Sequence, residues 1–241
     1  MTRISCIIPA WNAARFLAEA VESVQAQTRK VDEIIVVDDG STDDTAEVAA
    51  SLPGVRLIRQ KNAGSGAARN AGIIVAKGEY LAFNDADDLW LPDKIALQMA
   101  AFEADPTLDL CFAMIEHHDV RPAAPDLREL TLPKGIVSGR LLMNTLVKAS
   151  VFDRIGLFAT NKKTTLEQLW LLRAREAGLK ELLLPELTAI RRIHGGNMTL
   201  RLHKEKRQDY KEMLEDTLRR RRAAGTTVAA REVWKASGKD D

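Results

Sequence analysis

Four short, mostly apolar segments, at residues 4–8, 34–37, 55–58 and 80–83, recur through the first hundred residues with helical stretches between them. No other feature of the chain limits its fold so strongly. A run of four or five apolar residues closed by Pro, Gly or Asp reads as a strand buried on both faces. Pro9 closes the first run, Asp38-Asp39-Gly40-Ser41 the second, and Asn84-Asp85 the fourth. Between the first two, Phe16, Leu17, Ala20, Val21 and Val24 fall on one helical face, with Asn12 as the expected cap. Residues 42–50 and 67–76 are helical in composition, and Pro92 opens a further helix through about residue 103. Strand–helix alternation predicts an α/β domain with a mostly parallel, Rossmann-like central sheet flanked by helices.

That topology has a functional consequence. Ligands of open parallel sheets bind beyond the carboxyl ends of the strands. Three polar segments, 9–12, 38–43 and 84–88, fall there and so gather at one rim. The rest of the chain is less regular. Residues 109–115 read as a strand, 121–133 as a loop rich in proline and charge, and 136–151 as a strand leading into a helix. Residues 166–177 read as a helix ended by Gly178, and 191–199 as a glycine-containing loop. From about residue 200 basic and acidic residues alternate (Arg201, Lys204, Glu205, Lys206, Arg207, then 219–222), which predicts a solvated helix with a frayed end.

Composition narrows the class. Hydrophobic residues make up 46% and charged residues 29%, enough for a sizeable core in a soluble chain. A net charge of +1 gives no reason to expect a nucleic-acid partner. Cys6 and Cys111 lie inside apolar runs and read as buried, reduced thiols of a cytoplasmic protein. No stretch reaches the roughly 20 apolar residues of a membrane span. The run before Pro9 is too short for a secretory signal core. Membrane contact is therefore expected to be at most peripheral, at the inner face.

Three segments carry candidate chemistry. Asp85, Asp87 and Asp88 crowd three carboxylates into four residues, which is costly without a cation. Hard divalent ions such as Mg²⁺ or Mn²⁺ take oxygen ligands and bridge to phosphates. The competing reading is a helix start, where acids favour the dipole. Residues 38–43 form an acidic turn, either a capped strand–helix connection or a carboxylate aimed at a base or ribose. Residues 62–70 form a glycine-rich loop whose backbone donors and Arg69 suit phosphate, although it lacks the Lys of a P-loop.

Five segments then carry a resemblance: CIIPAWN, IIVVDDGSTDDT, NAGSGAARNAGI, AKGEYLAFNDADDLWLPDKI and RRIHGGNMT. Their order and spacing resemble glycosyltransferase family 2, strongly over 4–100 and loosely over 150–200. The resemblance implies a GT-A fold and inverting transfer of a sugar from a nucleotide-diphosphate donor, usually a UDP-sugar, with Mn²⁺ or Mg²⁺. It implies one domain over 1–200, with a nucleotide-binding half (1–104) and an acceptor-binding half (105–200). A charged helical extension (201–241) follows. It implies that Pro9, Trp11 and Asn12 line the nucleotide pocket, with Trp11 where the family often has Tyr. Asp39 would contact the base edge, Arg69 would face the nucleotide, and Asp85 would lie near the ribose or metal. Asp87 would bind the metal that bridges the phosphates. Arg192 and His194 resemble an Arg-x-His element that closes on the diphosphate. Asn84 stands where an apolar residue is usual.

An inverting transfer needs a carboxylate to deprotonate the acceptor hydroxyl. The family takes it from a Glu-Asp pair at a helix start, followed by an apolar stretch and an Arg. Here the text is LEQLWLLR, residues 166–173. Aligned on Glu167, Gln168 occupies the Asp position; aligned on Arg173, Glu167 does. Either register leaves Glu167 as the expected base. The acceptor is expected to be a glycan, a lipid-linked group or a small molecule. The alternative is a nucleotide-sugar-binding protein without turnover, suggested by Gln168. A nucleotidyltransferase would need a basic glycine-rich loop after the first strand, which PAWNAARF does not supply.

Overall fold

The structure, a computed structural model, describes residues 2–121, 135–161, 165–197, 209–215, 217 and 219. The expected loop at 122–133 and the charge run from Arg201 to Arg207 lie outside the described residues, as do Arg220, Arg221 and Arg222.

The first half follows the expected alternation. It runs β1 (Ile4–Ala10), α1 (Ala14–Gln25), β2 (Glu33–Asp38), α2 (Thr45–Ser51), β3 (Val55–Arg59), α3 (Ser65–Val75) and β4 (Tyr80–Phe83). These strands pair in parallel in the order β3-β2-β1-β4, with Ile7 opposite both Ile35 and Phe83. Successive side chains of a strand point to opposite faces. Cys6 and Ile8 therefore join Leu17, Val21 and Val24 of α1 in one core, while Ile7, Ile35 and Phe83 join Ala68 of α3 in the other. Burial on both faces is why β1, β2 and β4 read as apolar runs, whereas β3, at the sheet edge, is only partly buried and carries Arg56 and Arg59.

The second half departs from it. After β5 (Leu89–Trp90) and α4 (Lys94–Ala104) come β6 (Leu110–Asp119), β7 (Ile136–Gly139), β8 (Leu146–Lys148), α5 (Ser150–Ile155), α6 (Leu166–Glu176) and β9 (Glu181–Ile193). Beyond β4 the sheet continues β8-β6-β9-β5 with mixed directions: β8 is antiparallel to β4 and β6, and β9 is parallel to β6 but antiparallel to β5. Parallel order is thus concentrated in the first four strands.

Two expectations for the second half are corrected. Residues 136–151 are not one strand and a helix: β7 and β8 are separated by a 3-10 turn at Leu142–Asn144 before α5 begins. Asn144 makes that break, since its buried amide donates to the Ala113 and Met114 carbonyls and accepts from Thr188 Oγ1. Arg191, Arg192 and Ile193 belong to β9, so the loop begins only at His194. Leu183 pairs with Phe112 and Leu187 with Met114, so a bulge over 184–186 admits Pro185 into the strand.

Asn12 does not cap α1. The cap position is Ala13, without a side-chain bond. The N–H groups of Ala13 and Ala14 instead donate to Thr45 Oγ1 (2.8 Å) and Asp43 Oδ2 (3.2 Å). Asn12 adopts a left-handed φ of 49°, which Asn tolerates better than most residues. Its Oδ1 accepts the Thr42 N–H at 2.8 Å, and its own N–H donates to Ser41 Oγ at 2.9 Å. The loops after β1 and β2 are therefore tied together.

The described part of the C-terminal extension is helical over 209–215, and Tyr210, Met213 and Thr217 are buried. One face of this segment is packed, where full solvation was expected. Cys6 and Cys111 are free and buried. Among the described residues no helix is long and apolar enough to cross a membrane.

Candidate active site

The carboxyl ends of β1, β2 and β4 bring the expected polar segments to one rim. Pro9 lies in β1 opposite Val37 of β2, and Trp11, 44% exposed, follows β1 directly. An exposed indole beside a polar rim is a surface on which a planar ring can stack.

Asp39 leaves the end of β2 and is buried. Its Oδ1 accepts from Gln60 Nε2 (2.7 Å) and the Ala63 N–H (2.9 Å), and its Oδ2 accepts the Gly64 N–H (2.8 Å). A carboxylate offers about four lone-pair sites, so these three bonds leave room for one further donor. Asp39 therefore holds the glycine-rich loop in shape, a role its sequence context did not suggest.

Arg69 lies on α3 and is 3% exposed. Its Nη2 donates to Asp85 Oδ1 at 2.7 Å and stands 3.4 Å from Glu167 Oε1. Its Nε is buried with no partner among the described residues. The guanidinium thus bridges two carboxylates, one following β4 and one in the first turn of α6. Glu167 Oε2 also accepts the Leu142 N–H at 3.4 Å.

The acidic cluster divides its labour. Ligand-type atoms of Asp85, Asp87 and Asp88 lie within 4.8 Å of one another. Asp88 is buried, and its Oδ1 accepts the Arg192 N–H at 2.8 Å. Burial, then the charges of Asp87 and Asp85, hold Asp88 well above the usual carboxylate range. Burial raises Asp85 as well, offset by Arg69 and reinforced by Glu167 and Asp87. Arg191 lowers both, which marks it as a cationic neighbour that sequence reasoning missed. Asn84 is fully buried, and its Nδ2 donates to the Asp88 carbonyl at 3.2 Å, so it fixes the turn that carries the cluster.

Asp87 meets the loop after β9. His194 Nε2 lies 2.8 Å from Asp87 Oδ2, and the ring packs on Phe16 with centroids 4.5 Å apart. Asn197 Nδ2 donates to the same oxygen at 2.9 Å. Arg192 works inside the protein. Its guanidinium pairs with Glu19, donates to the Phe16 carbonyl at 3.3 Å, and reaches the Asp87 carbonyl at 2.5 Å. It fastens α1 to the main chain of the acidic cluster. Asn197 was missed because a polar residue after two glycines reads as turn chemistry.

Comparison with known proteins fits this architecture. Residues 5–170 match the family described as Glycosyl transferase family 2. An uncharacterized glycosyltransferase of Rickettsia conorii is 37% identical over 168 residues, covering 66% of this chain and 27% of that protein. A UDP-Glc:alpha-D-GlcNAc-diphosphoundecaprenol beta-1,3-glucosyltransferase of Escherichia coli, WfaP, is 41% identical over 108 residues, covering 44% of this chain and 43% of that one. The chain thus spans about a quarter of the first relative and under half of the second. Among solved structures, S. aureus TarS 1–349 in complex with UDP-GlcNAc superposes with a TM-score of 0.69 at 19% identity, over 98% of this chain and 70% of that one. The mannosyltransferase PcManGT from Pyrobaculum calidifontis, in complex with GDP-Man and Mn2+, gives 0.70 at 20% identity, over 90% and 64%. These likenesses establish a GT-A type fold. With that fold, and with the family match running from β1 into α6, the chain belongs to glycosyl transferase family 2.

Proposed function

We propose that this chain carries a metal-dependent, inverting glycosyltransferase site that moves a sugar from a nucleotide-diphosphate sugar, a UDP-sugar first, to an acceptor hydroxyl. One observation carries the reading. Arg69 joins Asp85 of the acidic cluster to Glu167, so a donor-side carboxylate and a candidate base face one guanidinium. On this reading residues 1–104 hold the nucleotide and 105–200 the acceptor.

The chemistry of the donor set fits a hard divalent ion. Ligand-type oxygens of Asp85 and Asp87 lie within 4.8 Å of each other, a carboxylate set suited to such an ion. Asp87 would hold Mn²⁺ or Mg²⁺, with Asp85 beside it and His194 Nε2, 2.8 Å from Asp87 Oδ2, orienting its carboxylate. The bound ion would offset charge growing on the leaving diphosphate. Asp88 is a poorer ligand, because burial and its bond from Arg192 commit it to the fold.

The chain's own groups perform the rest. Glu167 accepts the proton of the attacking hydroxyl, and Arg69 and the Leu142 N–H orient its two oxygens. Gln168 cannot take that proton. Its Oε1 is buried without a partner among the described residues. Trp11 offers a face for the base, and the open lone pair of Asp39 suits a single N–H such as that of uracil. The names of WfaP and the TarS complex support a UDP-sugar, and the PcManGT complex supports Mn²⁺. The acceptor class follows from the same family likeness: a glycan, a lipid-linked group or a small molecule. A cytoplasmic setting is supported by the two free, buried thiols.

The test is thermal stability of the full chain with a panel of nucleotide-sugars, with and without Mn²⁺. A UDP-sugar should raise Tm only with the metal, and Asp87→Ala should abolish that rise while leaving the unliganded Tm in place. A chain stabilised by no nucleotide-sugar under either condition would sink the reading.

A further inference from the structure

Asn197 is 7% exposed, and every polar atom of its side chain is engaged. Its Nδ2 donates to Asp87 Oδ2 at 2.9 Å and to the Arg192 carbonyl at 3.1 Å. Its Oδ1 accepts the His194 N–H at 2.5 Å. One amide therefore touches the end of β9, the main chain of His194 and the carboxylate of Asp87. The imidazole is fixed from its other side. The Gly196 N–H donates to His194 Nδ1 at 3.2 Å, which leaves the proton on Nε2, the atom facing Asp87. A Cβ on Gly196 would approach that ring to 3.1 Å, so the loop closes tightly over it.

We propose that Asn197 is a positioning residue that sets Asp87 and His194 in a single mutual arrangement before any donor arrives. Asp87 comes from the turn after β4 and His194 from the loop after β9, 107 positions apart in sequence. Without Asn197 the two side chains share only their direct contact among the described residues, while Arg192 still holds the Asp87 carbonyl. With it, the loop cannot shift without pulling on the carboxylate. Groups that orient metal ligands from behind alter metal affinity by about 10–100-fold when removed. The inference rests on the proposed metal site for that consequence, but not for the arrangement itself.

The experiment compares the full chain with Asn197→Ala, and with Asn197→Ser should the alanine variant not fold. Mn²⁺ affinity without donor is read by EPR, and the His194 ring by ¹⁵N NMR of the metal-free protein, assigned with His194→Gln. Asn197→Ala should weaken Mn²⁺ about tenfold or more, raise KM for the donor in step, and restore kcat at saturating Mn²⁺. In the metal-free ring spectrum, the single Nε2–H tautomer should give way to a mixture. On an Asp87→Ala background the same substitution should add nothing to the metal effect. If the parent binds no Mn²⁺, the metal reading falls and the ring spectrum alone decides. An unchanged ring spectrum overturns the proposal, as does an affinity within twofold in a parent that binds Mn²⁺.

Discussion

The guanidinium of Arg69 stands 3.4 Å from the carboxylate of Glu167, although one residue lies on α3 and the other opens α6. The same nitrogen holds Asp85 at 2.7 Å. Removing it would leave two carboxylates facing each other with no cation between them. Breaking a fully buried pair costs about 3–5 kcal/mol. Asp85 is 32% exposed and Glu167 20% in their side chains, so solvent screening reduces this. Arg69→Ala should therefore lose about 2 kcal/mol in urea unfolding. Arg69→Lys keeps the charge but not the planar fork, and should recover part of that stability while transfer stays impaired. Equal stability of the alanine variant and the parent would remove Arg69 as the link between the two halves of the site.

Glu167→Gln preserves the volume of the side chain and its contact with the Leu142 N–H, and removes the proton acceptor together with the charge that faces Arg69. Transfer should fall by about 10²–10⁴-fold, the usual contribution of a positioned general base. Donor affinity, read by titration of UDP with Mn²⁺, should change little. Gln168→Asp is the complementary variant. If the base had belonged at 168, restoring a carboxylate there would rescue Glu167→Gln; with Oε1 of Gln168 buried, no rescue is expected.

The two variants touch a site that was only half legible in the sequence. Pro9, Asp39 and Asp85 were readable because each lies within two residues of the end of a strand buried on both faces, and such strands announce themselves as short apolar runs. β9 was not, because Pro185 sits in its bulge and Glu181 and Glu186 interrupt its apolar pattern. Without β9 the place of Arg192 could not be inferred. Its partner Glu19 lies 173 residues earlier, and only the folded sheet brings α1 beside the end of the last strand. Asp39 was legible as a rim residue but not as the anchor of residues 60–64, since two of its three bonds there run to backbone N–H groups that any sequence would offer.

Lys94 gives the chain a pH signature independent of the site. It is fully buried, donates to Gln98 Oε1 at 2.8 Å and lies 4.1 Å from the centre of the Trp90 ring. Burial lowers its pKa from 10.5 to about 7. Above pH 7 the unfolded chain binds the Lys94 proton and the folded chain does not, so stability rises with pH. The thiols act in the opposite sense. Burial pushes Cys111 from 9.0 up to about 12 and Cys6 higher still, so both cost stability once unfolded thiols ionise near pH 9. Unfolding free energy should climb about 1–2 kcal/mol from pH 7 to a maximum near pH 9, then decline. Lys94→Met should remove the climb, and the Cys6→Ala, Cys111→Ala double variant should move the decline above about pH 10, where Tyr80 and Tyr210, both raised by burial, act in the same sense. Urea titrations at half-unit pH intervals decide both.

Gly40 tests whether the loops at the rim depend on one another. It has φ +71°, and a Cβ there would lie 2.7 Å from the backbone nitrogen of Asn62. Gly54 has nearly the same φ, +72°, with nothing within 4 Å of its Cβ position. The two alanine variants therefore share the conformational strain and differ only in the clash. Gly54→Ala should cost about 1 kcal/mol and leave nucleotide affinity unchanged. Gly40→Ala should cost about 2–4 kcal/mol, because Asn62 can move only with its main chain. That movement carries Ala63 and Gly64 away from Asp39, so UDP affinity should fall about tenfold with it. Equal losses of stability in the two variants, with affinity intact in both, would mean that the loop at 60–64 yields without disturbing Asp39, and the nucleotide pocket would then owe its shape to Asp39 alone.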